Sequence, residues 1–366
     1  MLFKKKILFI IFIGFFISII TSFINLNKYD QISNQPHSMI IGDIKLIWME
    51  AEKLKRDLYG GKNYFNSGRE YTRTYLPSKI LALYSHISGQ ELFENFENKK
   101  IENRSGEGGL RCKGFFRKNI ITKPLISIVM PNFRGDKLEK SIESILNQNY
   151  ENLELIIIDG DSGHSDLNII KKYDEFIDYW ISEKDNGIWD AWNKGITLSS
   201  GVFVGIVDSS SIMDKNAMKI ISSYIINNEE IDFILGTVKK ENKIYSGYRP
   251  SEIKLRFNII PSAAVGFFVK LSSLKKVGLY NTKYQISSDY DMLYRLIVKY
   301  KMKGIRTKPK EILGDLGTSG FSSKHNFLKS LSAELKIRLD NKQNIFILLY
   351  IFFGRCCMRI FQLLKN

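Results

Sequence analysis

A chain of 366 residues that is 44% hydrophobic and 25% charged has the composition of a folded protein, which excludes wholesale disorder and leaves room for one large or two ordinary domains. Its three cysteines, at 112, 356 and 357, form no Cys-x-x-Cys pair and no metal-ligand spacing, so neither a disulfide framework nor a zinc site is supported. The net charge of +16 is uneven: residues 1–125 carry 20 Lys+Arg against 11 Asp+Glu, residues 126–260 carry 15 against 21, and residues 261–366 carry 19 against 6.

At the start of the chain, Lys4, Lys5 and Lys6 precede an uncharged, almost wholly apolar run from Ile7 to Ile24. Eighteen residues at 1.5 Å each make about 27 Å, near the roughly 30 Å of bilayer hydrocarbon, so residues 1–30 are expected to form a membrane anchor. A secretory signal peptide shares the basic start, but this run is longer than a usual signal core and no small-x-small cleavage site follows it clearly. Residues 31–123 show no catalytic motif and are expected to be a helical stem. Within them, Asp43 to Tyr59 has roughly helical apolar spacing, Tyr59-Gly-Gly-Lys-Asn reads as a turn, a helix is expected after Pro77, and polar, Gly-rich Ile101 to Gly109 reads as a linker.

From Pro124 the pattern changes to short apolar runs alternating with amphipathic segments. Leu125 to Met130, Leu153 to Ile158 and Val202 to Val207 read as strands buried on both faces, with helices at Leu138 to Leu146 and Leu167 to Tyr173 between them. Continuous apolar strands alternating with helices indicate a parallel α/β sheet, and ligands of such sheets sit beyond the carboxyl ends of the strands. Pro131, Asp159 and Asp208 fall at those ends. Residues 182–196, Ser-Glu-Lys-Asp-Asn-Gly-Ile-Trp-Asp-Ala-Trp-Asn-Lys-Gly-Ile, read as a shaped polar loop entering a short helix. Ser287-Ser-Asp-Tyr-Asp opens another helix, anchored by Met292, Leu293, Leu296 and Ile297. Gly317-Thr-Ser-Gly-Phe-Ser-Ser323 is a polar loop.

These segments, taken in order from Leu125-Ile-Ser-Ile-Val-Met-Pro-Asn-Phe through Leu153-Glu-Leu-Ile-Ile-Ile-Asp-Gly-Asp-Ser and residues 182–196 to Ser319-Gly-Phe-Ser, resemble the family 2 glycosyltransferases that build bacterial surface polysaccharides. The resemblance implies a GT-A fold over residues 124–325: an α/β architecture with a mostly parallel central sheet flanked by helices. It implies transfer of a sugar, with inversion, from a nucleotide-sugar such as a UDP-sugar to a lipid-linked or polysaccharide acceptor. It places Pro131, Asp159, Asp185, Asn193, Lys194 and Gly195 on the nucleotide side. Asp289 matches the catalytic base, with Asp291 as its alternate. The family's Asp/Asn-x-Asp metal motif, which holds Mg²⁺ or Mn²⁺ against the diphosphate, is reduced here to Asp208, with Ser210 in the second position. That departure keeps a second reading open, a nucleotide-sugar-binding partner without turnover in a polysaccharide assembly complex. No Gly-x-Gly-x-x-Gly follows the Leu125 or Leu153 strand, which argues against a dinucleotide oxidoreductase.

Residues 326–366 combine the apolar run Ile345 to Phe353 with Arg355, Arg359 and Lys365. Nine apolar residues are too few to span a bilayer, and the mixture suits helices lying on an anionic membrane surface; a terminal helix packed on the domain is the other reading. No nucleic-acid-binding module is visible, so no nucleic-acid partner is expected. Lys4 to Lys6 favour a cytoplasmic N-terminus, which puts a single-span domain outside, whereas the resemblance implies cytoplasmic donors. The Ile-, Lys- and Asn-rich composition fits a bacterium, and the expected location is the inner membrane with the catalytic domain on its cytoplasmic side.

Overall fold

The computed structural model describes residues 73–75 and 104–365, apart from 247–263 and 318–326, and all of these fall within the unit Thr72–Asn366. The expected anchor over 7–24, the helices expected over 43–59 and after Pro77, and most of the 317–323 loop lie outside the described residues.

In chain order the strands are β1 (Arg73–Tyr75), β2 (Arg104–Gly108), β3 (Phe115–Arg117), β4 (Ile126–Asn132), β5 (Leu153–Asp159), β6 (Tyr179–Glu183), β7 (Phe203–Ile206), β8 (Ile212–Met213), β9 (Phe233–Leu235), β10 (Thr237–Lys240), β11 (Lys243–Tyr245), β12 (Phe267–Lys270), β13 (Gly304–Arg306) and β14 (Ile312–Leu316). The α-helices are α1 (Leu138–Leu146), α2 (His164–Lys172), α3 (Ile188–Leu198), α4 (Ala217–Asn227), α5 (Leu271–Val277), α6 (Ser288–Tyr294), α7 (Phe327–Asp340) and α8 (Ile345–Lys365).

One eight-stranded sheet in the order β13-β9-β12-β7-β4-β5-β6-β2 organises the domain. Its centre, β7-β4-β5-β6, is parallel throughout. Every residue of β4 and β5 is buried, as their largely apolar runs required of strands covered on both faces. Helix α3 packs across β4 and β5, and Gly195 permits the approach, because a Cβ there would sit 2.1 Å from Val129 Cγ1. A smaller sheet, β11-β10-β14-β8, lies to one side in the chain's second half. The expected α/β sheet with a parallel centre is therefore present, and the strands and helices expected from Pro124 onward lie within a few residues of their places.

The 101–109 stretch departs from the linker expectation. Residues 104–108 form β2, which pairs antiparallel with β6 and closes one edge of the main sheet. Its glycines are there for the Trp180 indole. A Cβ on Gly106 would lie 2.9 Å from the Trp180 ring, and one on Gly108 would lie 2.6 Å from it. The segment is then fastened by ion pairs to buried carboxylates: Arg104 Nε to Glu183 at 3.0 Å, Arg111 to Glu154, and Arg117 Nε to Asp178 at 2.8 Å. A polar, glycine-rich composition reads as linker when the ring that fills the space beside the glycines is seventy residues away.

The Arg117–Asp178 pair is almost wholly out of water, with side-chain exposures of 6% and 3%, and Asp178 also accepts the Leu155 amide at 2.9 Å. Asp178→Ala strands a buried guanidinium and is expected to cost about 3–5 kcal/mol of unfolding free energy. Urea unfolding measures it, and a loss below about 1 kcal/mol, the range of an exposed pair, would mean that the pair contributes nothing special to the edge.

Candidate active site

The carboxyl ends of β4, β5, β6 and β7 open into a single cavity of 1310 Å³. Its wall is built from the end of β4 and the loop after it (131–136), Gly160 and Asp161 after β5, residues 184–189 from the turn after β6 into α3, Asp208 to Ser210 after β7, and Thr282 and Gln285 ahead of α6. Arg134 and Asp161 on this wall, and Ser287 at the entry to α6, hold non-glycine φ values of 55°, 61° and 67°. Left-handed backbone at such residues is costly and persists where the surrounding structure enforces it. Gly135 and Gly160 are also dictated by crowding: a Cβ would lie 2.2 Å from Ser209 Oγ at the first and 2.7 Å from Asp185 Oδ2 at the second.

The strand ends are tied together by Asp159, which is fully buried. Its Oδ1 accepts from Asn132 Nδ2 at 2.7 Å and from Ser162 Oγ, and its Oδ2 accepts from Ser182 Oγ at 2.6 Å and the Ser162 amide at 3.2 Å. A carboxylate has about four lone-pair positions, and protein donors occupy that number here. Asp159, expected on the nucleotide side, is an internal tie here and is not among the residues that line the cavity.

Three other expected nucleotide residues are likewise turned to structural tasks. Asn193 spends both ends of its amide on the Tyr280 main chain, at 2.8 and 2.9 Å. Lys194, buried, is held by Glu183 Oε1 at 2.9 Å and Asp190 Oδ2 at 3.5 Å. Gly195 faces Val129. Asp291, the alternate base, is 1% exposed, pairs with Arg295 Nε at 2.8 Å and accepts from Asn341 Nδ2 at 2.8 Å. Spacing alone does not distinguish a carboxylate aimed at a cavity from one aimed at a neighbouring helix.

Pro131, Asp185 and Asp208 do line the cavity. Asp185 accepts the Gly187 amide at 2.9 Å, and burial holds its carboxyl above the usual range against the opposing pull of that bond and of Lys194. Asp208 Oδ1 accepts from the Ser210 hydroxyl at 2.8 Å and the Ser210 amide at 3.2 Å. Gly317 abuts the same turn, since a Cβ on it would meet Ser210 Oγ at 2.4 Å.

Residues 127–295 match the sequence profile of glycosyl transferase family 2. They are a family 2 glycosyltransferase domain. The chain is 28% identical over 190 residues to an uncharacterized glycosyltransferase of Methanocaldococcus jannaschii, covering 48% of this chain and 65% of that protein. It is 34% identical over 125 residues to the poly(ribitol-phosphate) β-N-acetylglucosaminyltransferase of Staphylococcus aureus, covering 32% and 38%. The chain thus spans less than two thirds of either relative. Among solved structures, S. aureus TarS in complex with UDP-GlcNAc superposes with a TM-score of 0.47 at 14% identity, over 59% of this chain and 66% of that one.

Asp289 belongs to this family 2 domain and lies four residues after Gln285 in the chain. It is the second residue of α6. Burial pushes its carboxyl up to about 6, against main-chain hydrogen bonds that pull it down. Trp189, itself on the cavity wall, stacks on Tyr280 at 5.8 Å and meets Trp192 edge-on at 4.9 Å, with its indole donating to Gln285 O at 3.2 Å. Asn132, Arg134, Asp136, Asp161 and Gln285 line the family 2 cavity without having been singled out in the sequence. Their one signal was position, directly after the apolar strands or ahead of α6.

As a cation site, the family 2 cavity offers Asp208, whose Oδ1 is taken by Ser210. Among the described residues no group of three or more His, Cys, Asp and Glu could hold a metal ion. The donor set fits a hard cation bound by one carboxylate, with ligand phosphates and water completing the shell.

Asp159→Ala leaves donors on Asn132, Ser162 and Ser182 without their acceptor, at about 1–3 kcal/mol for each buried group. The expected result is a drop in melting temperature that exceeds any loss of nucleotide affinity. An unchanged melting temperature with abolished nucleotide binding would instead return Asp159 to the ligand.

Proposed function

We propose that the chain is an inverting glycosyltransferase that moves a sugar from a nucleotide-sugar, by resemblance a UDP-sugar, to a lipid-linked or polysaccharide acceptor in surface-glycan synthesis. The observation that carries this reading is the strand-end cavity inside a family 2 domain, with a carboxyl of raised pKa, Asp289, four residues along the chain from Gln285 of its wall. Perturbed carboxyls beside a cleft are the groups from which general bases are drawn. The relative named for N-acetylglucosamine transfer to poly(ribitol-phosphate) supports an acceptor of the surface-polymer class.

In this reading Asp185 accepts a hydrogen bond from the base or ribose of the donor. Arg134 and Lys184, on the same wall, attract the diphosphate. Asp208 would hold Mg²⁺ or Mn²⁺, which neutralises charge growing on the departing diphosphate. Asp289 takes the proton from the acceptor hydroxyl as that oxygen bonds to the anomeric carbon from the face opposite the breaking bond to the diphosphate. Trp189 shields the reacting carbon from water.

Asp289→Asn is expected to lower kcat by about 10²–10⁴-fold with donor Kd unchanged. In the wild type, transfer should rise with pH and level off above about 6, because the base works only when ionised and burial has raised its pKa to that value. A pH-rate profile on both proteins tests this, and full transfer by Asp289→Asn sinks the assignment.

Ser210 favours one further comparison, with the reading as a nucleotide-sugar-binding partner without turnover. Ser210→Asp supplies the second carboxylate and is expected to lower several-fold the Mg²⁺ or Mn²⁺ concentration for half-maximal donor hydrolysis. A wild type without turnover that this substitution switches on would favour the partner reading.

A further inference from the structure

Helix α8 has two apolar faces, and among the described residues only one of them is covered. Leu348 and Ile351 turn inward and are 4% exposed, and Arg355 on the same side reaches Glu334 of α7 at 3.3 Å. On the other side Ile345, Phe346, Leu349, Tyr350, Phe352 and Phe353 are 54%, 76%, 46%, 69%, 39% and 61% exposed. At 100° per residue, 345, 349 and 353 form one stripe and 346 and 350 the adjoining one, so the exposed side chains make a continuous surface. The four rings alone leave on the order of 500 Å² in water, at about 200 Å² per ring, in the upper part of the roughly 300–600 Å² range of a typical monomer's largest apolar patch, which is often functional.

We propose that this face of α8 docks in the plane of an anionic lipid surface, with its aromatic rings at the level of the headgroups. Charge selects lipid over a second copy of the chain: residues 327–365 hold seven Lys and Arg against two Asp and Glu, so two such faces repel, whereas anionic headgroups attract both. Length selects lying over spanning. The apolar run 345–353 is about 14 Å long at 1.5 Å per residue, against roughly 30 Å of hydrocarbon, and no helix among the described residues is long and apolar enough to cross a membrane.

The hairpin that carries this face is fixed to the rim of the cavity. Asp340 accepts from Tyr284 OH at 2.7 Å and pairs with Lys283 at 3.0 Å, Asn341 bonds Asp291, and fully buried Arg338 lies 5.3 Å over the Tyr290 ring. A lipid surface held by α8 is therefore coupled through α7 to residues 282–291, the stretch that contains Gln285 and Asp289.

The test uses the full chain with Cys112, Cys356 and Cys357 changed to Ser and a polarity-sensitive dye on Tyr350→Cys, and it reads lipid contact without donor or acceptor, so it stands apart from glycosyl transfer. The expected result is a wet dye in buffer that shifts to the blue with phosphatidylglycerol vesicles, less with phosphatidylcholine alone, and less again as salt is raised. Adding Phe346→Glu and Phe353→Glu, both on the exposed face, is expected to weaken the titration at least about a hundredfold. A dye already blue in buffer means that the chain itself or a second copy covers the face, and it overturns the proposal. So does a dye that stays wet at every vesicle concentration, even if the protein floats with the vesicles through another segment.

Discussion

Everything at the candidate site depends on one buried carboxylate. Asp159 ends β5 and takes hydrogen bonds from Asn132 at the end of β4, Ser182 near the end of β6 and Ser162 in its own loop. Three neighbouring strand ends are thereby held in fixed register at the point where each chain must leave the sheet. A buried charge is tolerable only when its lone pairs are met, and meeting them here sets the mouth of the cavity. Asn132 extends the tie to Asp166 at 3.0 Å and to the Gly135 amide, so the loop that carries Arg134 is shaped by the same group.

A second buried network supports the other wall. Glu183, 2% exposed, lies between Lys194 and Arg104, directly before the Lys184 to Gly187 turn that lines the cavity. The lysine that crosses from α3 thus ties the turn to Glu183 and Asp190. Two layers result: an inner one of satisfied charges that confers rigidity, and an outer one, Arg134, Lys184, Asp185 and Asp208, that faces the cavity. Chemistry requires both, because groups facing solvent bind with precision only when their backbone cannot shift.

The sequence was legible where periodicity carries the information. Strands β4 and β5 follow from largely apolar runs, and α1 was read at its observed limits, because an apolar stripe at helical spacing admits one solution. It was less legible at the level of side-chain direction. Asp159, Asn193, Lys194 and Asp291 look like binding residues in a list of motifs, yet their partners are Asn132, the Tyr280 main chain, Glu183 and Arg295, contacts that no local pattern announces. Strand β2 was misread for the same reason. Glycine beside charge is also the composition of a linker until Trp180 is placed against it.

What the sequence determined by itself is the domain and its chemistry class: alternating apolar runs dictate a parallel sheet, and the ordered motifs between 125 and 295 place it in family 2. Those are local or collinear properties, written in neighbouring residues. What only the tertiary structure decided is which carboxylates face the cavity and which hold the sheet together, and that one face of α8 is left uncovered by the described residues. Both depend on what lies opposite a side chain in space, and the residue opposite comes from a distant part of the chain.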